Sequence, residues 1–128
     1  IQEVLKRMGI QGRITLDSAK RLIEKIEKEA ERRGKKAVIA VCGPEGNPIA
    51  VHVMDGAFLV SFDVATKKAG GTFYGVDKMD NGKIVIFGGG VPLKVGDTII
   101  GGLGVSGGTG EEDHSLAEYG LSVLNEVL

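Results

Sequence analysis

The sequence predicts an α+β fold built on a mainly antiparallel sheet. Segments with helical hydrophobic spacing lie before, between and after short strand-like segments. The strand-like segments form hairpin pairs joined by turn residues, at Gly43–Pro48 and at Gly96–Asp97. Repeated β-α-β crossovers are absent, which argues against a parallel sheet. The 128 residues suffice for one core, so residues 1–128 are predicted to form a single domain.

Two helices precede the first strand in this prediction. Residues 1–12 are expected to contain a short amphipathic helix, Ile1–Met8, and a connection. Thr15 can cap a second helix that carries a single apolar stripe. Ala37–Cys42 is apolar without polar alternation, which predicts a central strand covered on both faces. Ile49–Met54 alternates between two faces and completes the first hairpin.

The second half is predicted to contain a helix, three strands and a final helix. Asp55 can cap a helix that begins near Ala57, and Gly70–Gly71 should end or loosen it. The predicted strands that follow are Lys83–Phe87, Val91–Val95 and Thr98–Ser106. Thr109 and Glu112 fit a capping box, which predicts a helix over the remaining residues.

Composition narrows the classes of partner. The 16 basic residues are balanced by 17 acidic ones, for a net charge of -1, which argues against nucleic acid as a partner. No apolar stretch reaches the ~18 to 20 residues of a membrane helix, and residues 1–12 carry no secretory apolar segment. Cys42 is the single cysteine and cannot form an intrachain disulfide. We therefore expect a cytoplasmic protein with no membrane partner.

A glycine-rich segment contains a literal G-x-G-x-x-G pattern at Gly102–Gly107. A dinucleotide site also needs a β-α-β unit and an acidic residue about 20 positions further on, whereas only a final helix follows here. A P-loop would need a Gly-Lys-Ser/Thr ending, which is absent. We interpret these glycines as permitting close packing of strands and helices.

Candidate catalytic and metal groups are few. Asp113, His114 and Ser115 are adjacent on one helix and point in different directions, so they cannot form a catalytic triad. Two histidines and one cysteine give no zinc spacing. An enzyme would need a converging acid and base, for which Asp55, His52 and Asp113 are the available parts.

His52 is the first candidate for ligand binding. It shares a strand face with Ala50 and Met54, against which a flat apolar ligand could lie. Its imidazole could bind haem iron. The alternative interpretation of a lone strand histidine is exposure to solvent or a subunit contact, and Cys42 is most simply a small buried apolar residue.

A family resemblance is carried by four segments that occur in order between about Ile14 and Leu128. These are Val53-Met54-Asp55-Gly56-Ala57, Ala65-Thr66-Lys67-Lys68-Ala69, Gly88-Gly89-Gly90-Val91-Pro92, and Gly104-Val105-Ser106-Gly107-Gly108 followed by Glu112-Asp113 and Ala117. Together they resemble the GlcG/HbpS-like family, also called DUF336, which includes the C-terminal domain of PduO-type proteins. The motifs are specific jointly and weak singly.

The resemblance implies a profilin-like fold with a five-stranded antiparallel sheet and flanking helices. It also implies homo-oligomers, from dimers to octamers. Some members of the family bind haem, while others occur beside glycolate, diol or glycerol utilisation enzymes. The adenosyltransferase activity of PduO-type proteins belongs to a separate N-terminal domain without a counterpart in this sequence.

The leading hypothesis is a non-enzymatic, oligomeric protein that binds a small molecule, with haem or a related tetrapyrrole as the cofactor. One alternative is an accessory or scaffold protein of a diol, glycerol or glycolate pathway that binds no cofactor. Another is an enzyme acting on a small hydroxy acid or aldehyde. The candidate pocket lies near a subunit interface, with His52 as iron ligand. Its predicted binding residues are His52, Met54, Asp55, Gly56, Gly89, Gly90, Pro92 and His114.

Overall fold

The computed structural model of the chain describes residues 12–58, 60–77 and 89–128. The helices are α1 (Leu16–Arg32), α2 (Ser61–Asp77) and α3 (Gly110–Val123), the last followed by a 3-10 turn at Leu124–Glu126. The strands are β1 (Val38–Cys42), β2 (Pro48–Val53), β3 (Gly90–Val95) and β4 (Thr98–Ser106). The predicted helix Ile1–Met8 and the predicted strand Lys83–Phe87 lie outside the described residues.

The strands form one antiparallel sheet in the order β2-β1-β4-β3. The α+β class is therefore confirmed, and the sheet has four strands within the described residues. β1 lies in the interior of the sheet and is buried at every position, as its uninterrupted apolar sequence predicted.

Helices cover the sheet on both faces. Ile39 and Val41 of β1 point into the larger core, which α1 and α3 close. Val38, Ala40 and Cys42 point to the opposite face, where they pack with small residues of α2. The two-residue alternation of β1 thus divides its side chains between two apolar layers.

Two of the three predicted N-caps, Thr15 and Thr109, are confirmed, whereas Asp55 does not cap a helix. The Thr15 hydroxyl accepts a hydrogen bond from the Ser18 N–H at 3.0 Å and begins α1. Thr109 and Glu112 form the complete capping box of α3. These two caps could be predicted from the sequence because a cap is formed by residues within one helical turn.

Helix α2 departs from the prediction at its start and in its middle. It begins at Ser61, because Asp55 and Gly56 form a turn in which the Ala57 N–H donates to the Met54 carbonyl at 3.0 Å. Gly70–Gly71 do not end it. A Cβ at position 70 would lie 3.1 Å from the Gly46 carbonyl oxygen, so this glycine lets the helix cross the first hairpin turn closely.

Candidate functional site

His52 is held by an acidic residue of the neighbouring helix. Its position on β2 directs the imidazole toward α1, where Nδ1 contacts the Glu27 carboxylate. Both side chains are partly exposed. Because an ionised carboxylate only accepts hydrogen bonds, the His52 Nδ1–H is the donor in this contact.

The second ring nitrogen of His52 is available. Nε2 has no hydrogen-bond partner among the described residues. It is also not buried, so an external ligand can reach it. Metal-binding histidines commonly donate their other ring N–H to a carboxylate, which fixes the tautomer and the ring orientation. The His52–Glu27 pair has this arrangement, with an Nε2 lone pair free in the neutral ring.

A cleft of about 430 Å³ lies beside this pair, between the C-terminal end of α1 and the end of β2. Its volume falls within the range of roughly 300 to 1,000 Å³ typical of ligand pockets. Met54 also packs on the core, with its sulfur accepting the Ala37 N–H at 3.5 Å. The lining residues are Glu27, Glu31, Gly34, Lys35, Lys36, Val53, Met54 and Asp55.

Four of the predicted binding residues gather at this cleft. Met54 and Asp55 line it, and His52 contacts the lining residue Glu27. Gly56 packs closely against the side chain of Lys36, another lining residue. The sequence placed these four near one another because they follow each other along one strand and turn.

Gly89, Gly90 and Pro92 lie elsewhere on the same chain. β3 is at the other end of the described sheet, so three strand spacings, roughly 14 Å, separate it from β2. Gly90 and Pro92 lie opposite Gly104 and Gly102 on the face covered by α2, whereas His52 faces α1. One chain therefore does not bring the two predicted groups together.

His114 has no accessible free nitrogen of the kind found in His52. Its Nε2 lies 2.9 Å from the Glu118 carboxylate, one turn further along α3. Its Nδ1 is buried and has no hydrogen-bond partner. Of the two histidines, His52 offers the better geometry for an external ligand.

A buried ion pair connects three elements of the fold. The Lys68 ammonium of α2 donates to Asp113 Oδ2 of α3 and to the Val105 carbonyl of β4, each at 2.9 Å. The other Asp113 oxygen accepts the Gly108 N–H at 2.9 Å. The two side chains are only 8% and 5% exposed. Asp113 is thus committed to a structural contact.

The structure supports the rejection of a triad at residues 113–115. Asp113 contacts Lys68, His114 contacts Glu118, and Ser115 accepts a hydrogen bond from Arg33 at 2.9 Å. Asp55, His52 and Asp113 do not converge either, since Asp113 is buried with Lys68 while Asp55 lines the cleft beside β2. Within the described residues, no group of three or more His, Cys, Asp or Glu side chains could hold a metal ion.

The G-x-G-x-x-G pattern has a packing function. Gly102 and Gly104 belong to β4, and a Cβ at position 104 would lie 2.1 Å from the Ala65 carbonyl oxygen of α2. Cys42 is buried under the same helix, where its thiol donates to the Ala69 carbonyl at 3.0 Å. Burial raises the pKa of this thiol to about 11, so it is protonated and unreactive near neutral pH.

Known proteins share this sequence pattern and this fold. The family model described as "Haem degrading protein HbpS-like" matches residues 14–122. The chain belongs to the HbpS-like family. This HbpS-like chain is 34% identical, over 133 aligned residues, to an uncharacterized 15.0 kDa protein in the dhaT-dhaS intergenic region of Citrobacter freundii. That alignment covers 89% of this chain and 94% of the relative.

A second relative of this HbpS-like chain is a larger protein. The corrinoid adenosyltransferase PduO of Citrobacter freundii is 32% identical over 115 residues, or 75% of this chain. The match spans 34% of PduO, so this chain corresponds to about a third of that protein.

Solved structures of HbpS-like proteins superpose on most of the chain. Klebsiella pneumoniae protein ORFY has a TM-score of 0.75 and 31% identity, over 88% of this chain and 90% of its own. The complex of PduOC with heme has a TM-score of 0.74 and 26% identity, over 88% and 96%. HbpS itself, at 24% identity and a TM-score of 0.73 over 88% and 90%, shares the fold.

The helices also bear on a possible membrane location. Within the residues that the structure describes, no helix combines the length and the apolar character needed to cross a bilayer.

Proposed function

We propose that this HbpS-like chain binds haem or a related tetrapyrrole at the cleft between α1 and β2, with His52 Nε2 as the iron ligand. One observation carries the proposal: Glu27, which lines a cleft of about 430 Å³, orients His52 through Nδ1, while Nε2 has no partner among the described residues. The resemblance to the PduOC complex with heme supports the same class of ligand.

The groups around the cleft suit a flat apolar ring with anionic substituents. Val53 and Met54 supply an apolar and polarisable surface for the ring. Lys36 lines the cleft and has no ion-pair partner among the described residues, so it can pair with a carboxylate of the ligand. A bound haem would supply redox and ligand-binding chemistry at its iron.

The wider predicted pocket requires more than one copy of the chain. Gly90 and Pro92 lie on the other face of the sheet from His52, so a pocket that uses both groups takes them from two chains. We therefore propose a homo-oligomer with the ligand site near a subunit interface. We propose no enzymatic activity, because His52, Asp55 and Asp113 do not form a converging acid and base.

Hemin titration followed by visible absorption tests the proposal. The wild type should shift the Soret band, and His52→Ala should weaken binding at least about 10-fold because the iron loses its protein ligand. His114→Ala is the matched control and should bind hemin like the wild type. Absence of a Soret shift in the wild type contradicts haem binding, and equal affinity in the His52→Ala variant contradicts the assigned ligand.

A second candidate function is an accessory or scaffold role without a cofactor. The observation that favours it is the similarity to the uncharacterized protein in the dhaT-dhaS intergenic region, which covers 94% of that relative. This role is distinguished from the first by a closed oligomer that retains no ligand and recovers a specific partner enzyme.

A further inference from the structure

Among the residues that the structure describes, strand β2 has no neighbouring strand along its outer side. It is the outermost strand at its end of the sheet formed by the described residues. The Met54 N–H donates to the Ala37 carbonyl at 3.0 Å, which fixes the alternation of the strand. His52 therefore directs its N–H and C=O toward β1, while Val51 and Val53 direct theirs outward.

Nothing in the sequence of β2 protects this edge from another strand. Its residues include no lysine, arginine, aspartate or glutamate, and its proline is at the first position. Natural edge strands are usually protected by lysine, internal proline or a covering segment. An apolar edge that no other described strand covers is suited to pairing with a further strand.

Exposed apolar side chains also occur at the end of β2, in the segment before α2 and in the first turn of α2. Val53 is 53% exposed, Phe58 70%, Val60 68% and Phe62 45%. Together they present on the order of 400 Å² of apolar surface, about half of what one partner contributes to a standard interface. The strand edge and its flanking side chains can supply the remainder.

We infer that β2 pairs antiparallel with β2 of a second copy of this chain, with the two-fold axis at His52. In that register Val51 lies opposite the partner subunit's Val53, so both outward-facing residues of each copy form their hydrogen bonds. A pairing centred on Val51 would instead place Ile49 opposite the partner subunit's Val53. Ile49 lies in the irregular part of β2, because the pairing with β1 shifts register between Val41 and Cys42. A pairing centred on Val53 would leave Val51 opposite a residue beyond the strand.

This pairing places His52 and the cleft of each copy at one seam, whereas Gly90 and Pro92 on β3 stay at the far ends of the two sheets. The His52 side chains of the two copies become cross-strand neighbours, with Cβ atoms roughly 4.5 to 5.5 Å apart on the α1 face. Val53, which lines each cleft, is one of the paired residues, and the lining residues Met54 and Asp55 directly follow it. Only the identity of the ligand in this shared region rests on the proposed function; the strand pairing does not.

Disulfide trapping tests the register. His52→Cys under mild oxidation should give a covalent dimer in high yield, because a cross-strand pair has the Cα separation that a disulfide accepts. Ala50→Cys is the matched control on the same face. Its two copies would be roughly 14 Å apart along the strand and should not cross-link. A monomeric product from His52→Cys, or efficient cross-linking of Val51→Cys, would overturn the inference.

Sedimentation of a second pair of variants tests the interface without a new thiol. Val51→Pro removes one outward N–H and should dissociate the dimer while far-ultraviolet circular dichroism stays unchanged. Val51→Thr retains the N–H and should remain dimeric. An unchanged mass for Val51→Pro, as expected if another segment or a different partner covers this edge, would overturn the inference. Neither experiment uses hemin, so each can fail independently of the proposed function.

Discussion

The Lys68–Asp113 pair is the most constrained polar contact at the scale of single residues. Its charges are almost fully removed from water, and the bonds to Val105 and Gly108 satisfy further polar positions. The energy of such a pair lies mainly in the cost of leaving one charge unpaired. The sequence could not distinguish Lys68 from its neighbour Lys67, because only the packing of α2 decides which lysine is buried.

Replacing one partner of this pair should destabilise the protein strongly. Lys68→Met leaves Asp113 buried without its cation and should lower the free energy of unfolding by about 3 to 5 kcal/mol. Urea denaturation measures the change, with exposed Lys67→Met as the matched control. The double variant with Asp113→Leu should recover most of the loss. A loss under about 1 kcal/mol in the single variant contradicts this account.

Glu29 should make stability depend on acid pH. Hydrogen bonds from Arg32 and Arg33 lower the pKa of its carboxyl from 4.5 to about 2. Because the folded pKa is depressed, the stabilisation is present above pH 4.5 and is lost as the pH falls toward 2. Glu29→Gln should therefore be less stable than the wild type at neutral pH, and the difference should shrink near pH 2. Glu24→Gln, on the same helix, is the control in these denaturation experiments.

Close contact between β4 and α2 is the main constraint at the scale of elements. Gly104→Ala would place its Cβ 2.1 Å from the Ala65 carbonyl oxygen and 2.6 Å from the Ala69 nitrogen. Since both atoms belong to the helix backbone, the variant should lose about 3 kcal/mol of unfolding free energy. Gly110→Ala meets no atom within 4 Å and is the control. Equal stability of the two variants in urea would argue against this packing.

At the scale of elements, local features could be predicted from the sequence and tertiary contacts could not. The caps at Thr15 and Thr109 and the apolar pattern of β1 are local signals, and the structure confirms them. The start of α2 was predicted wrongly because the residues from Asp55 onward first form a turn. Its continuation through Gly70 was missed because the close contact of Gly70 with Gly46 is distant in sequence. Local helix propensity carries no information about such tertiary contacts.

At the scale of the whole molecule, the sequence could predict the proximity of site residues that are close along the chain, but not of those that are far apart. His52 and Met54 lie within a few residues of each other, so the sequence could place them together. Glu27 belongs to a helix 25 positions earlier, and no periodicity indicates that it meets His52. The separation of Gly89 from His52 likewise follows from the strand order.

Glu27 should act as a positioning residue for haem in the assembled protein. Glu27→Ala removes the acceptor of the His52 Nδ1–H and should weaken hemin binding by roughly 10- to 100-fold. The Soret maximum should also change, because the imidazole is less basic without its carboxylate partner. Glu31→Ala, which alters the same cleft without touching His52, should keep the wild-type spectrum. Identical spectra and affinities for both variants would contradict the positioning role.

Imidazole rescue is the most direct measurement of the central claim that His52 binds haem iron. His52→Gly is titrated with hemin in the absence and presence of free imidazole, and the Soret band is recorded. We expect the variant to lose the wild-type band and to regain it when imidazole occupies the space left by the side chain. A His52→Gly variant that gives the wild-type spectrum without imidazole would contradict the account.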